Sequence, residues 1–209
     1  MGWEFDILNG IQSVFQSDLM DQIMPAVTAL GNGGIFWIAA GLVFTLYKKT
    51  RTFGICILTA LVFEVLSCNV ILKPLVARPR PFTSDPARIL LIPRPEDYSF
   101  PSGHTSNAFL GAHMAYKEFK DRSPILAYSG YAIAAFVAGS RLYNNRHWVA
   151  DVVAGAGFGI LSVELSYLIY FPIRNAIARR INRNVKNCPI VAAPVFSSNM
   201  AGFYLTYQF

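Results

Sequence analysis

The chain has 209 residues, 54% of them hydrophobic and only 14% charged, against about a quarter charged in an ordinary soluble domain. That balance argues against a soluble enzyme and for a single domain that uses lipid as solvent. The net charge of +6 does not imply nucleic acid, because the cations gather at the ends of apolar runs instead of forming a continuous basic face.

Residues 1–33 carry four acidic residues and no Lys or Arg. Phe5, Leu8, Ile11 and Phe15 recur at helical spacing, with Ile7 and Val14 widening the same face, the pattern of a helix lying in a membrane interface. Residues 19–30 are partly apolar but short, and Gly31-Asn32-Gly33-Gly34 breaks them from the next apolar run. We expect interfacial or re-entrant helices on the non-cytoplasmic side, with a sixth crossing here as the alternative. The first residues lack a basic stretch leading into an apolar core, so no cleavable signal peptide is expected.

From residue 34 the pattern alternates. Helices are expected from 34 to Lys48, from Phe53 to Leu72, from His104 to Phe119, from Pro124 to Ser140 and from His147 to Phe171, which gives five crossings. Of the 18 Lys and Arg, 11 lie in three clusters: Lys48, Lys49 and Arg51; Lys117, Lys120 and Arg122; and Arg174, Arg179, Arg180, Arg183 and Lys186. The positive-inside rule makes those ends cytoplasmic. Lys73, Arg78, Arg80, Arg88, Arg94, Arg141 and Arg146 fall in the loops 73–103 and 141–146, which then face the other side. These loops break the charge rule because their chemistry needs cations, and the first is long for a compact domain.

Several residues read as structural. Glu64 and Glu164 fall inside helices, where a carboxyl group ties helices together unless it has a functional role. Gly155 and Gly159 let helix backbones approach closely. His113 reads as a packed core histidine, and Cys56, Cys68 and Cys188 show no disulfide or metal spacing. In the tail Phe203, Leu205, Tyr207 and Phe209 alternate with a period of two, a strand to which no function is assigned.

Three polar clusters share the outer face: Lys73 with Arg80-Pro81, then Pro101-Ser102-Gly103-His104, then Ser140-Arg141 with His147 and Asp151. Taken singly each has a plainer reading: Lys73 as a snorkelling lysine, Arg80 as a solvated loop residue, His104 as a helix-start histidine, Arg141 as an interfacial anchor and Asp151 as a first-turn acid. Spacing weighs against those readings. His147 and Asp151 stand four apart at a helix start, so they share a face. A carboxylate on one imidazole nitrogen fixes the tautomer and makes the other nitrogen more nucleophilic. His104, from another helix at the same depth, is placed to serve from the opposite side. Lys73, Arg80 and Arg141 offer charge to the equatorial oxygens of a reacting phosphoryl group, and Ser102 with the Gly103 amide offers neutral donors at a helix start. The acids nearby, Asp85, Glu96 and Asp97, have no metal-ligand spacing with the histidines, so neither metal nor other cofactor is expected.

The segments Lys73-Pro-Leu-Val-Ala-Arg-Pro-Arg80-Pro81, Pro101-Ser-Gly-His104 and Ser140-Arg141-Leu-Tyr-Asn-Asn-Arg-His147-Trp-Val-Ala-Asp151 together resemble, without a substitution, the three-part signature of the type 2 phosphatidic acid phosphatase superfamily. The resemblance covers about 34–172. It implies that His147 forms a phosphohistidine oriented by Asp151, that His104 protonates the leaving oxygen and then activates water, and that Lys73, Arg80, Ser102, Gly103 and Arg141 hold the phosphate. Trp148 stands where the family more often has tyrosine, and the family's usual six helices exceed the five counted here.

The reading is therefore an all-α polytopic membrane helical bundle of five to six transmembrane helices with its active site on the non-cytoplasmic face. It divides into 1–33, interfacial or re-entrant helices; 34–172, a membrane phosphatase core; and 173–209, a cytoplasmic basic stretch and tail. The expected activity is metal-independent hydrolysis of a lipid phosphate in the cytoplasmic membrane, with no nucleic-acid partner. Undecaprenyl diphosphate, phosphatidylglycerol phosphate, phosphatidic acid and a phosphorylated lipid A share the required chemistry, and loop 82–98 is expected to choose among them. The alternatives are a vanadate-dependent haloperoxidase-like enzyme, which the apolar runs oppose, and a non-enzymatic membrane protein that keeps the motifs.

Overall fold

The computed structural model describes residues 2–32, 34–85 and 95–186, with side chains up to residue 181, and the backbone of 190–197 and 200–207. Arg88, Arg94 and Cys188 lie outside the described residues. Two compact units result, Met1–Tyr167 and Leu168–Phe209.

The chain opens with α1 (Gly2–Phe15) and α2 (Asp18–Leu30), the latter capped by Ser17, whose side chain accepts from the Met20 N–H. After α3 (Gly34–Leu46), α4 (Arg51–Glu64) runs into a π-helical stretch, Val65–Leu72, and then into α5 (Lys73–Val76). A single turn, α6 (Pro81–Ser84), precedes α7 (Gly103–Phe119), α8 (Pro124–Tyr143) and α9 (Val149–Lys186). Because α9 continues through Pro172, the basic stretch from Arg174 onward extends that helix. The strands among the described residues form a hairpin in which β1 (Ile190–Ser197) pairs antiparallel with β2 (Met200–Tyr207), the latter in the stretch where the alternation in the tail reads as a strand.

Among the described residues, four helical stretches are long and apolar enough to cross a membrane: Asp18–Leu46, Arg51–Ser84, Pro124–Tyr143 and Val149–Ile181. The break expected at the glycine run falls between α2, which ends at Leu30 with Gly31 as its C-cap, and α3, which begins at Gly34, and α7 matches the helix expected from His104 to Phe119. Burial is arranged for lipid. Ile35, Leu46, Ile125, Phe136 and Val153 point outward, while Ser106, Ser140, Asn144, Asp151 and Ser166 are buried.

Within the first unit α7 packs against α8 and α4, α3 packs against α4, and α1 and α2 pack against α8. The start of α9 approaches α7 through glycine. A methyl group built on Gly155 would stand 2.5 Å from the Ser102 carbonyl oxygen, and one on Gly159 would stand 2.3 Å from that of Ser106. Both distances are below van der Waals contact, so only glycine lets the two backbones meet there. The carboxyl groups inside helices behave differently from each other. Glu164 binds His113 Nε2 at 2.6 Å and Lys117 at 2.8 Å, a tie between α7 and α9. Glu64 is buried, and neither of its oxygens has a hydrogen-bond partner among the described residues.

Candidate active site

The nucleophile expected from the sequence sits in a turn that α8 and α9 build together. Backbone bonds from Asn144 to Ser140, from Asn145 to Leu142 and from Arg146 to Arg141 close this turn. Asn145 takes a left-handed conformation, φ 51°, which asparagine tolerates better than most residues. Asn144 pins the turn to α2 by donating to Thr28 Oγ1 at 3.1 Å. His147 comes next, only 2% exposed.

The imidazole is held by both nitrogens. Nδ1–H donates to the Ser99 carbonyl at 2.8 Å, which puts the proton on Nδ1 and leaves Nε2 with its lone pair. Asp151 Oδ2 stands 3.6 Å from the same Nδ1, an ion-pair distance too long for a hydrogen bond. The sequence made Asp151 the direct orienter; the structure puts a carbonyl in that place and sets Asp151 behind it. Oδ2 of Asp151 accepts from the Ser99 hydroxyl and from the Trp148 N–H at 2.9 Å, so it steadies both residues that flank the imidazole. Burial pushes His147 down to about 3, against the raising influence of the nearby Asp151 carboxylate, while the Arg80 and Arg141 cations add to the lowering. The ring is therefore neutral at neutral pH.

Nε2 faces a cavity of about 820 Å³ lined by Lys73, Arg80, Gly103, His104, Arg141 and Arg146, with Asp97 in the same wall. Arg80 is 4% exposed and fully engaged: Nη1 donates to the Arg146 carbonyl at 2.7 Å and lies 3.2 Å from His147 Nε2, while Nη2 binds Asp97 Oδ1 at 2.6 Å. Lys73 pairs with the other oxygen of Asp97. Burial alone would raise the Asp97 carboxyl, but the Lys73 hydrogen bond and the Arg80 charge outweigh it and hold it at about 2. One carboxylate thus sits among four cations, bridging two of them as a phosphate oxygen pair would. Across the cavity His104 Nε2 binds Asn32 Oδ1 at 2.7 Å.

Six of the eight residues singled out from the sequence line this cavity: Lys73, Arg80, Gly103, His104, Arg141 and His147. Asp151 and Ser102 are fully buried and stand behind the wall. Ser102 is the N-cap of α7, its hydroxyl turned to Thr105 and its N–H given to the Asp151 carbonyl at 3.0 Å, so its part is to anchor the helix start. Of the other loop cations, Arg78 binds Asp151 Oδ1 at 2.7 Å, whereas Arg146 reaches the cavity. Sequence reasoning missed Asp97, Asn32 and the Ser99 carbonyl. Asp97 carried a faint signal, an acid four residues before the Pro101-Ser-Gly-His104 segment; the other two carried none.

A family model described as the PAP2 superfamily matches residues 35–175. The chain belongs to the PAP2 superfamily. The lipid A 1-phosphatase of Porphyromonas gingivalis is 49% identical over 71 residues, 34% of this chain and 16% of that protein. The undecaprenyl-diphosphatase of Sulfolobus acidocaldarius is 34% identical over 133 residues, 62% of this chain and 63% of that protein. The chain thus spans less than two thirds of the length of these two relatives. Among solved structures, that of Aquifex aeolicus LpxE matches the fold with a TM-score of 0.66 at 22% identity, over 78% of this chain and 93% of that one. The PAP2 match begins at residue 35, so α1 and α2, with Asn32 just beyond them and the anchor for Asn144, lie outside it.

Proposed function

We propose that this PAP2 chain is an integral membrane lipid phosphatase that works through a phosphohistidine on His147, with its cavity on the non-cytoplasmic face of the cytoplasmic membrane. The observation that carries the reading is His147 Nε2, unprotonated and directed into a cavity walled by Lys73, Arg80, Arg141 and Arg146. A phosphoryl group enters by displacing the Asp97 carboxylate from Lys73 and Arg80. Its equatorial oxygens then take the cations and the Gly103 amide. Nε2 attacks phosphorus in line; the N–P bond forms, the bond to the lipid oxygen breaks, and His104 gives that oxygen its proton. In the second step His104 takes a proton from water as the water oxygen attacks phosphorus. The N–P bond breaks, phosphate leaves and the enzyme is restored. The chain's own cations supply the charge stabilisation that a metal gives other phosphatases.

In this reading 1–33 are interfacial or re-entrant helices, 34–172 the membrane phosphatase core, and 173–209 a cytoplasmic basic stretch and tail. The three cationic clusters support this orientation. A lipid A phosphate and undecaprenyl diphosphate, the substrates named for the two relatives above, are candidates beside phosphatidylglycerol phosphate and phosphatidic acid. The test is phosphate release from these four lipids by purified protein in detergent with chelator present, repeated with right-side-out vesicles. Release from at least one lipid, unaffected by chelator and needing no permeabilisation, is expected. Chelator-sensitive turnover, or turnover only in opened vesicles, contradicts the cavity chemistry or the orientation respectively.

A further inference from the structure

The N-terminal helix carries a buried carboxylate that the steps above do not use. Glu4 of α1 is 3% exposed and lies outside the residues that match the PAP2 family model. One of its oxygens accepts from Arg78 Nη2, and the other accepts from the Ala150 N–H at 3.1 Å, in the first turn of the helix that bears Asp151. Arg78 then reaches Asp151 Oδ1 at 2.7 Å through its other nitrogen. A guanidinium with two donors held apart in one plane suits this bridge between two carboxylates, which a lysine ammonium does not reproduce. An aromatic clamp keeps it in place. The Arg78 guanidinium lies 5.2 Å from the centre of the Trp148 ring, Phe5 of α1 meets that ring edge-on at 4.7 Å, and Trp148 Nε1–H donates to the Pro79 carbonyl at 2.8 Å.

The consequence is electrostatic. Asp151 Oδ2 stands beside His147, and its negative charge is what stabilises the imidazolium-like ring once Nε2 is bonded to phosphorus. A lone guanidinium on Oδ1 would cancel that charge in a site that water does not screen. The Glu4 carboxylate balances the guanidinium. We propose that Glu4 is a positioning residue for the reaction, acting through Arg78 so that Asp151 keeps both its place and its charge beside His147. The proposal rests on the phosphatase reading above.

Glu4→Gln tests it, because the amide oxygen still accepts from Ala150 while the charge is lost. A fall in kcat of about tenfold is expected, the scale of one coupled charge pair. KM, and inhibition by inorganic phosphate, report the cation cradle and should stay unchanged. Glu4→Asp, which keeps the charge but shortens the reach, should fall between the two. A second readout needs no turnover. The chain has three histidines, so in protein carrying nitrogen-15 histidine the His147 ring signals are identified by their loss in His147→Ala. Glu4→Gln should move those signals and leave the His113 signals in place. An unchanged kcat, a loss that appears in KM or phosphate inhibition instead, or His147 signals that do not move overturns the proposal. If the unaltered protein releases phosphate from no lipid, the phosphatase reading fails, and the ring signals still decide the role of Glu4.

Discussion

Burial, more than the partner named by the motif, decides how His147 behaves. In the unfolded chain its imidazole titrates near 6.5; in the folded protein burial, only partly offset by Asp151, takes it to about 3. Between those values the unfolded state binds more protons, so this contribution to stability is full above about 6.5 and drains away as pH falls toward 3. Asp97 acts in a lower window, because a carboxyl lowered from 3.8 to about 2 contributes fully above 3.8 and loses its contribution only below that. The thermal midpoint in detergent should therefore decline between pH 7 and pH 5, and His147→Gln should remove part of that decline. A decline that His147→Gln leaves intact would mean that the ring is not held neutral by the fold.

At the scale of elements, what places the site is the junction of α7 with α9. Gly155 and Gly159 bring the α9 backbone against Ser102 and Ser106, and the Ser102 N–H reaches the Asp151 carbonyl across that junction. Gly159→Val puts two more carbons where one already lacks room, so a loss of about 1–3 kcal/mol is expected, read as a lower thermal midpoint in detergent. A valine there without such a loss would show that the helices do not meet as closely as described. These glycines were legible because four-residue spacing of small residues has a direct packing meaning. Less was legible after α4: nothing in Val-Leu-Ser-Cys-Asn-Val-Ile-Leu marks π-helical winding, yet it brings Asn69 and Lys73 to the same cavity. The glycine run after α2 was legible as a break: α2 ends at Leu30 with Gly31 as its C-cap, and α3 begins at Gly34.

For the whole molecule, three short segments far apart in sequence converge because each sits at a helix end on one side of the bundle, and that much was readable from helical spacing and charge. What could not be read were contacts whose partners have no motif. The Ser99 carbonyl that fixes the His147 tautomer is a backbone atom, Asn32 reaches His104 across 72 positions, and Glu4 reaches Arg78 across 74. Side-chain type and local spacing carry no trace of such pairings. In the mechanism we propose, all of them, with the cation cradle, serve one event, transfer of a phosphoryl group to His147 Nε2. The most direct test is a rapid quench of the protein during turnover of a lipid labelled in its phosphate. Label bound to the protein, stable in alkali, lost in acid and missing from His147→Ala along with phosphate release, is the expected result. Phosphate release that persists in His147→Ala, or bound label that this substitution leaves in place, would contradict the account.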